Sequence, residues 1–140
     1  MLGTVLIVDD DASIRTTARL VLAHEGYSIL TAPDGETAIQ LMTTGDNAAK
    51  VCTLLCDLQM PNMDGKELIK HFRKQYPDIP IIVMSGASDT VLFEGIIEEG
   101  VCDWIRQPAT REALLEKVQT ASNLFALRQQ QRSQGFEGPK

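Results

Sequence analysis

Five short runs of apolar and β-branched residues punctuate the chain, at Thr4–Val8, Tyr27–Ala32, Val51–Cys56, Ile79–Met84 and Val101–Ile105. Each has the length of a strand. The segments between them carry apolar residues at helical spacing: Ile14, Ala18, Val21 and Leu22 in the first, Ala38, Leu41 and Met42 in the second. The third has Leu68, Ile69 and Phe72, and the fourth Val91, Leu92 and Ile96, each a single stripe at i, i+3, i+4. Gly26, Gly45 and Gly100 stand where helices should stop, and Asp64 with Glu67 three residues on reads as a capping box. The chain therefore reads βαβαβαβαβα. Uniformly apolar strands alternating with helices predict a parallel sheet covered on both faces, because parallel strands need crossovers and right-handed ones prevail. That is a doubly wound α/β domain, a three-layer sandwich.

The last helix is predicted to start after Thr110, a plausible N-cap, with Leu114, Val118, Ala121 and Phe125 as a stripe that can cover the sheet or meet a partner helix. After Leu127 the chain turns polar and ends in Gly138-Pro139-Lys140, so order is expected to fade there. Residues 1–122 are read as the domain and 123–140 as a helical extension with a disordered tail.

Composition narrows the function classes. The 140 residues are 44% apolar and 23% charged, an ordinary single globular domain. Thirteen basic against 19 acidic side chains leave a net charge of −6, with no basic run to follow a phosphate backbone, so direct nucleic-acid binding is not expected. No apolar stretch approaches the roughly 18 residues of a membrane span, and the expected location is the cytoplasm. Cys52, Cys56 and Cys102 read as small buried hydrophobes. Four residues along a strand rise about 13 Å, too far for Cys52 and Cys56 to share a zinc ion. His24 and His71 have no acid or thiol cluster in the sequence around them and read as solvated surface residues.

In a doubly wound sheet the working crevice lies beyond the carboxyl ends of the strands. Asp9, Asp10 and Asp11 follow the first strand, Asp57 the third, Ser85 the fourth, and Gln107-Pro108 the fifth. Carboxylates gathered at one rim repel each other unless a cation neutralises them. A hard divalent ion with oxygen ligands fits, and Mg²⁺, which takes one or two carboxylates and keeps waters, suits an open rim. Asp11 has the simpler reading of a helix N-cap.

These pieces resemble the receiver domain of two-component response regulators. The resemblance is carried by Val5-Leu6-Ile7-Val8-Asp9-Asp10-Asp11, by Cys56-Asp57-Leu58-Gln59-Met60-Pro61-Asn62-Met63-Asp64-Gly65, by Val83-Met84-Ser85-Gly86-Ala87, and by Gly100 through Pro108. It implies the flavodoxin-like five-stranded order 2-1-3-4-5. It also implies that Asp57 is a phosphoacceptor serving a histidine kinase or phosphotransfer protein, and that Mg²⁺ is held by Asp10, Asp57 and the backbone carbonyl of Gln59, with Asp9 acting through metal-bound water. Ser85 resembles the hydroxyl that bonds the acquired phosphoryl, and Trp104 the aromatic switch residue that turns inward with it. A cis bond before Pro108 is implied as well.

Gln107 departs from that pattern, which has Lys before the proline. A neutral amide replaces an ammonium, at a cost in coupling of about 1 kcal/mol or more. Arg106 could substitute only if the fifth strand ended by Ile105, since neighbouring strand side chains point to opposite faces. The leading expectation is a signalling phosphoacceptor, not an enzyme, whose output is a changed partner surface formed by the fourth helix, fifth strand and fifth helix, with homodimerisation there as one outcome. The alternative is an atypical receiver that docks or dimerises independently of phosphorylation because of Gln107. A flavodoxin-like cofactor protein is disfavoured, since three aspartates after the first strand would repel a phosphate. The cognate kinase and any output domain are not legible.

Overall fold

The computed structural model describes residues 2–58, 65–86, 101 and 103–135. The expected helix bearing Val91, Leu92 and Ile96, the stop at Gly100, the Asp64 half of the capping box, Cys102 and Gln59 lie outside the described residues. The described elements are β1 (Thr4–Val8), α1 (Ala12–Glu25), β2 (Ser28–Ala32), α2 (Gly35–Met42), α3 (Asn47–Lys50), β3 (Val51–Asp57), α4 (Gly65–Gln75), β4 (Ile81–Ser85), β5 (Asp103–Arg106) and α5 (Arg111–Gly135). The strands pair in parallel in the order β2-β1-β3-β4-β5. This is the doubly wound sheet that the alternation predicts.

Strand residues alternate between two cores. Leu6, Val8, Leu54, Cys56, Ile81 and Val83 face α2 and α4, packing on Ala38, Met42, Leu68, Ile69 and Phe72. Val5, Ile7, Leu55, Ile82, Met84 and Ile105 face α1 and α5, packing on Ala18, Leu22, Leu114, Val118 and Ala121. Each Val, Leu, Ile, Met or Phe among them taken from water contributes roughly 1.5–3 kcal/mol, so both layers are anchored by hydrophobic burial. Cys52 and Cys56 are buried, as expected.

Three strand starts and three strand ends move toward the carboxyl side of the predicted runs, and two of the starts have a local reason. Tyr27 donates its N–H to Leu22 O and closes α1 behind the left-handed Gly26 (φ 116°), so β2 starts at Ser28. Ile79 donates to Tyr76 O in the turn after α4, so β4 starts at Ile81. At the other ends, Asp57 pairs with Met84 and Ser85 with Arg106. The ladder therefore includes the chemistry-bearing residues on its last rungs. The single turn α3, with the exposed ion pair Lys50–Asp46 at 3.3 Å, was not predicted from periodicity, which a four-residue helix cannot display.

Thr110 caps α5 as expected, accepting from Ala113 N at 3.0 Å. The stripe packs on its own molecule: Leu114, Val118 and Ala121 are buried, and Phe125 reaches the α2/α4 core. The helix runs on to Gly135. Arg132 grips Asp78 with both ends of its guanidinium (Nε–Oδ2 2.8 Å, Nη2–Oδ1 2.6 Å), and Gln129 Nε2 adds a bond at 2.9 Å. This bidentate pairing ties the last turns of the helix to the loop before β4. That hydrogen bonding to Arg132 also keeps the Asp78 carboxyl below its ordinary pKa. Among the described residues no helix is long and apolar enough to cross a membrane.

Candidate functional site

The carboxyl ends of β1 and β3 are neighbours, so the acids that follow them meet. Asp9 follows β1 directly, with its N–H on Ala32 O and only 1% of its surface exposed. Asp10 is exposed and Asp57, the last residue of β3, is half-buried. One carboxylate oxygen from each of Asp9, Asp10 and Asp57 lies within 4.8 Å of the others. That span is close to the roughly 4.2 Å across an Mg²⁺ octahedron with 2.1 Å bonds. Three hard oxygen donors, one of them buried, fit such an ion.

Asp9 shows the local cost of the arrangement. Burial pushes its carboxyl above the ordinary pKa and the charges of Asp10 and Asp11 push the same way, against hydrogen bonds from Asp11 N and Gln107. Asp11 is the N-cap the sequence suggests: its Oδ1 accepts from Ser13 N (2.9 Å), Ser13 Oγ (2.7 Å) and Ile14 N (3.3 Å). Those bonds, the Ser13 hydroxyl first, lower its pKa. Arg15, which the sequence does not mark, donates Nη1 to Asp9 O at 2.7 Å and fixes the backbone where β1 turns into α1.

The raised pKa of Asp9 gives a testable sign. Between the ordinary carboxyl value and the raised one, the folded state binds more protons than the unfolded, so this group makes stability fall as pH rises through that window. Asp11 and Asp78, both lowered, contribute in the opposite sense, with stability lost as pH falls through their folded values. Asp9→Asn should therefore raise metal-free stability at pH 7 and steepen the loss on acidification. Urea titrations in chelator from pH 7 to pH 4 measure it, and parallel curves for variant and wild type would contradict it.

On the other side of the rim, Ser85 ends β4 and is fully buried. Its Oγ accepts the indole N–H of Trp104 at 2.5 Å, and its carbonyl accepts from Gln107 N at 2.8 Å. The Trp104 ring is thus directed at Ser85. The Gln107–Pro108 bond is cis, as the resemblance implies. Gln107 Nε2 comes to 3.4 Å from Asp9 Oδ2, a long contact from a neutral donor where an ammonium would add a full positive charge. Arg106 does not replace that charge: β5 extends through it, and its guanidinium lies over the Trp104 ring at 5.6 Å from the centroid. His24 is exposed as expected, but His71 is half-buried with its ring edge-on to Phe72 and Tyr76, a packing contact that helix polarity does not reveal.

Gly65 is part of the site in a way its place in the motif does not explain. A Cβ there would sit 2.2 Å from Asp57 O and 2.7 Å from Leu58 Cα. Its N–H donates to Leu58 O at 3.0 Å. The first turn of α4 is pressed onto the backbone that carries Asp57. An apolar cleft of about 510 Å³ opens beside the rim between α1 and α5, lined by Ile14, Ala18, Val21, Pro108 and Leu114 and reaching Gln107.

Residues 5–119 match the response regulator receiver domain. The chain belongs to that family. This receiver domain is 34% identical over 117 residues to the CAI-1 autoinducer sensor kinase/phosphatase CqsS of Vibrio cholerae, which covers 81% of this chain and 16% of that protein. It is 29% identical over 137 residues to the DNA-binding transcriptional regulator NtrC of Escherichia coli, covering 98% of this chain and 28% of NtrC. The chain thus spans well under a third of either relative. Among solved structures, it resembles a CheY-like receiver domain protein from Methanospirillum hungatei (25% identity, TM-score 0.81, covering 90% of this chain and 98% of that one). It is also similar to NtrX from Brucella abortus (25% identity, TM-score 0.85, covering 93% of this chain and 29% of that one). The receiver domain is the signalling module of two-component phosphorelays, and the flavodoxin-like order seen here is theirs.

Proposed function

We propose that this receiver domain accepts a phosphoryl group on Asp57 from the phosphohistidine of a kinase or phosphotransfer protein. The observation that carries the reading is the convergence of Asp9, Asp10 and Asp57 within 4.8 Å at the carboxyl edge of the sheet. An Asp57 carboxylate oxygen attacks phosphorus and forms the acyl phosphate as the P–N bond breaks. The electron pair returns to the imidazole, which takes up a proton. Asp10 and Asp57, with the Gln59 carbonyl expected from the motif and Asp9 acting through water, would hold Mg²⁺. Bound there, it would offset the repulsion of the acids and the charge on the transferring phosphoryl. Asp9 is kept in place by its bonds to Asp11 N and Gln107, and Ser85 supplies a hydroxyl for the arriving group. The cleft between α1 and α5 gives the partner an apolar seat beside the rim. The output is a changed surface around β5 and α5 for a partner or a second copy of the chain.

Gln107 favours a second reading, a docking module indifferent to phosphorylation, because its amide gives the rim only a long contact and no positive charge. Intact mass after incubation with acetyl phosphate decides between them. On the first reading wild type gains the phosphoryl mass only with Mg²⁺, and Gln107→Lys binds beryllofluoride, a stand-in for the phosphoryl on Asp57, about tenfold more tightly, the worth of ~1.4 kcal/mol. Wild type that stays unlabelled at saturating Mg²⁺ points to the docking module. Equal beryllofluoride affinities would show that Gln107 matters little.

A further inference from the structure

The two ends of α4 are held by different parts of the molecule. Its first turn meets the backbone of Asp57: Gly65 N–H donates to Leu58 O, and a Cβ on Gly65 would collide with Asp57 O. Leu68, Ile69 and Phe72 are fully buried along its length, and packing that dense transmits a displacement instead of absorbing it. At the far end Tyr76 donates to Phe72 O at 2.7 Å, its ring lies 5.2 Å from that of Phe72, and Ile79 donates to Tyr76 O at 3.1 Å. Asp78 sits within that turn with 15% of its side chain exposed, and α5 engages both of its carboxylate oxygens: Arg132 Nη2 on Oδ1, Arg132 Nε and Gln129 Nε2 on Oδ2.

Beyond Phe125 no apolar side chain of α5 is buried among the described residues, and Ala126 and Leu127 are exposed. A helical stretch of roughly ten residues is marginal in water by itself, so the hold on these last turns is polar and sits at Asp78. We propose that this contact is a releasable clasp: α4 carries the phosphoryl state of Asp57 to Asp78, and a phosphoryl group on Asp57 loosens the grip on Arg132 and frees the last turns of α5 as an output surface. The proposal rests on the reading of Asp57 as the phosphoacceptor. Two features of this chain favour release. A bidentate pair depends on its geometry, so a small shift of α4 weakens both of its bonds at once. The guanidiniums of Arg73 on α4 and of Arg128 and Arg132 on α5 also line one hollow with Asp78, and their mutual repulsion opposes closure.

Hydrogen exchange and calorimetry on the full chain test the coupling from both ends. Asp78→Asn keeps the size of the side chain and Arg132→Gln changes only an exposed helix end. Each should speed amide exchange over residues 126–133 about tenfold while leaving β1 and β3 protected. In wild type, saturating Mg²⁺ and beryllofluoride should speed exchange in the same segment, and in either variant should add nothing further there. Linkage requires the reverse effect: with the clasp already open, both variants should bind beryllofluoride about fivefold more tightly than wild type. The double variant should go no further than either single one, because both changes open one contact. Lys50→Ala, which breaks the exposed pair with Asp46, should change neither measurement. Exchange over 126–133 that ignores bound beryllofluoride, or variants with wild-type affinity, would overturn the clasp as a switch and leave the phosphoacceptor reading standing. Wild type that binds no beryllofluoride at all would overturn both.

Discussion

Asp57→Asn will take no phosphoryl from acetyl phosphate, while wild type is labelled in a Mg²⁺-dependent way. The asparagine keeps the size of the side chain and its place at the end of β3, but its amide oxygen is a poor nucleophile and carries no charge to share with the ion. The loss should be complete within detection, because no other carboxylate combines half-buried placement at a strand end with two acidic neighbours within 4.8 Å among the described residues. Stability should move in the opposite direction. In chelator, removing one of three mutually repelling charges should stabilise the fold by about 1 kcal/mol, the scale of a charge pair near 4 Å in high dielectric. On adding Mg²⁺ to 100 times its dissociation constant, wild type should gain about 2.7 kcal/mol by mass action, and the variant far less. Labelling that persists in Asp57→Asn would move the nucleophile elsewhere. Equal Mg²⁺ stabilisation of both proteins would remove Asp57 from the ion's shell.

The second large effect is expected at Gly65. Alanine there would bring a Cβ to 2.2 Å from Asp57 O, a backbone atom that cannot step aside as a flexible side chain would. Either α4 lifts off the sheet or the end of β3 tilts, and both disturb the large buried contacts of Leu68, Ile69 and Phe72. The expected loss is about 3 kcal/mol, the upper range for forced overpacking. That exceeds the roughly 1 kcal/mol that alanine gains over glycine in a helix. Gly45→Ala is the control. Gly45 has positive φ (54°) but open space around its Cβ position, so alanine there costs only the left-handed backbone, about 1–2 kcal/mol. Denaturant unfolding of the two variants compares them directly. Gly65→Ala should also slow phosphoryl uptake, because the Asp57 backbone is what the methyl displaces, whereas Gly45→Ala should not. Losses of the same size at both positions, with uptake unchanged, would show that the approach of α4 to Asp57 relaxes without consequence.

Much of this protein follows from the order of residues alone. Strict alternation of apolar runs with amphipathic segments leaves few packings other than a parallel sheet between two helical layers, because strands buried on both faces and right-handed crossovers are general requirements. The observed order β2-β1-β3-β4-β5 is the one the family resemblance implies. The acids are legible for the same reason: they directly follow or end strand-like runs, and the carboxyl ends of neighbouring parallel strands share one edge. Local caps at Asp11, Gly26 and Thr110 are short-range chemistry and are readable as such.

What the tertiary structure alone decides are the contacts between residues far apart in the chain. The steric demand on Gly65 comes from the backbone of Asp57, and the persistence of α5 to Gly135 comes from Asp78, more than 50 residues away from Arg132. The bond between Trp104 and Ser85 joins two strands, and the position of Arg106 over the indole goes with β5 ending one residue beyond its apolar run. Periodicity reports which side of an element is buried, because burial averages over many neighbours. It is silent on which single atom lies 3 Å away, because that depends on register between elements, and register is set only when the layers close on one another.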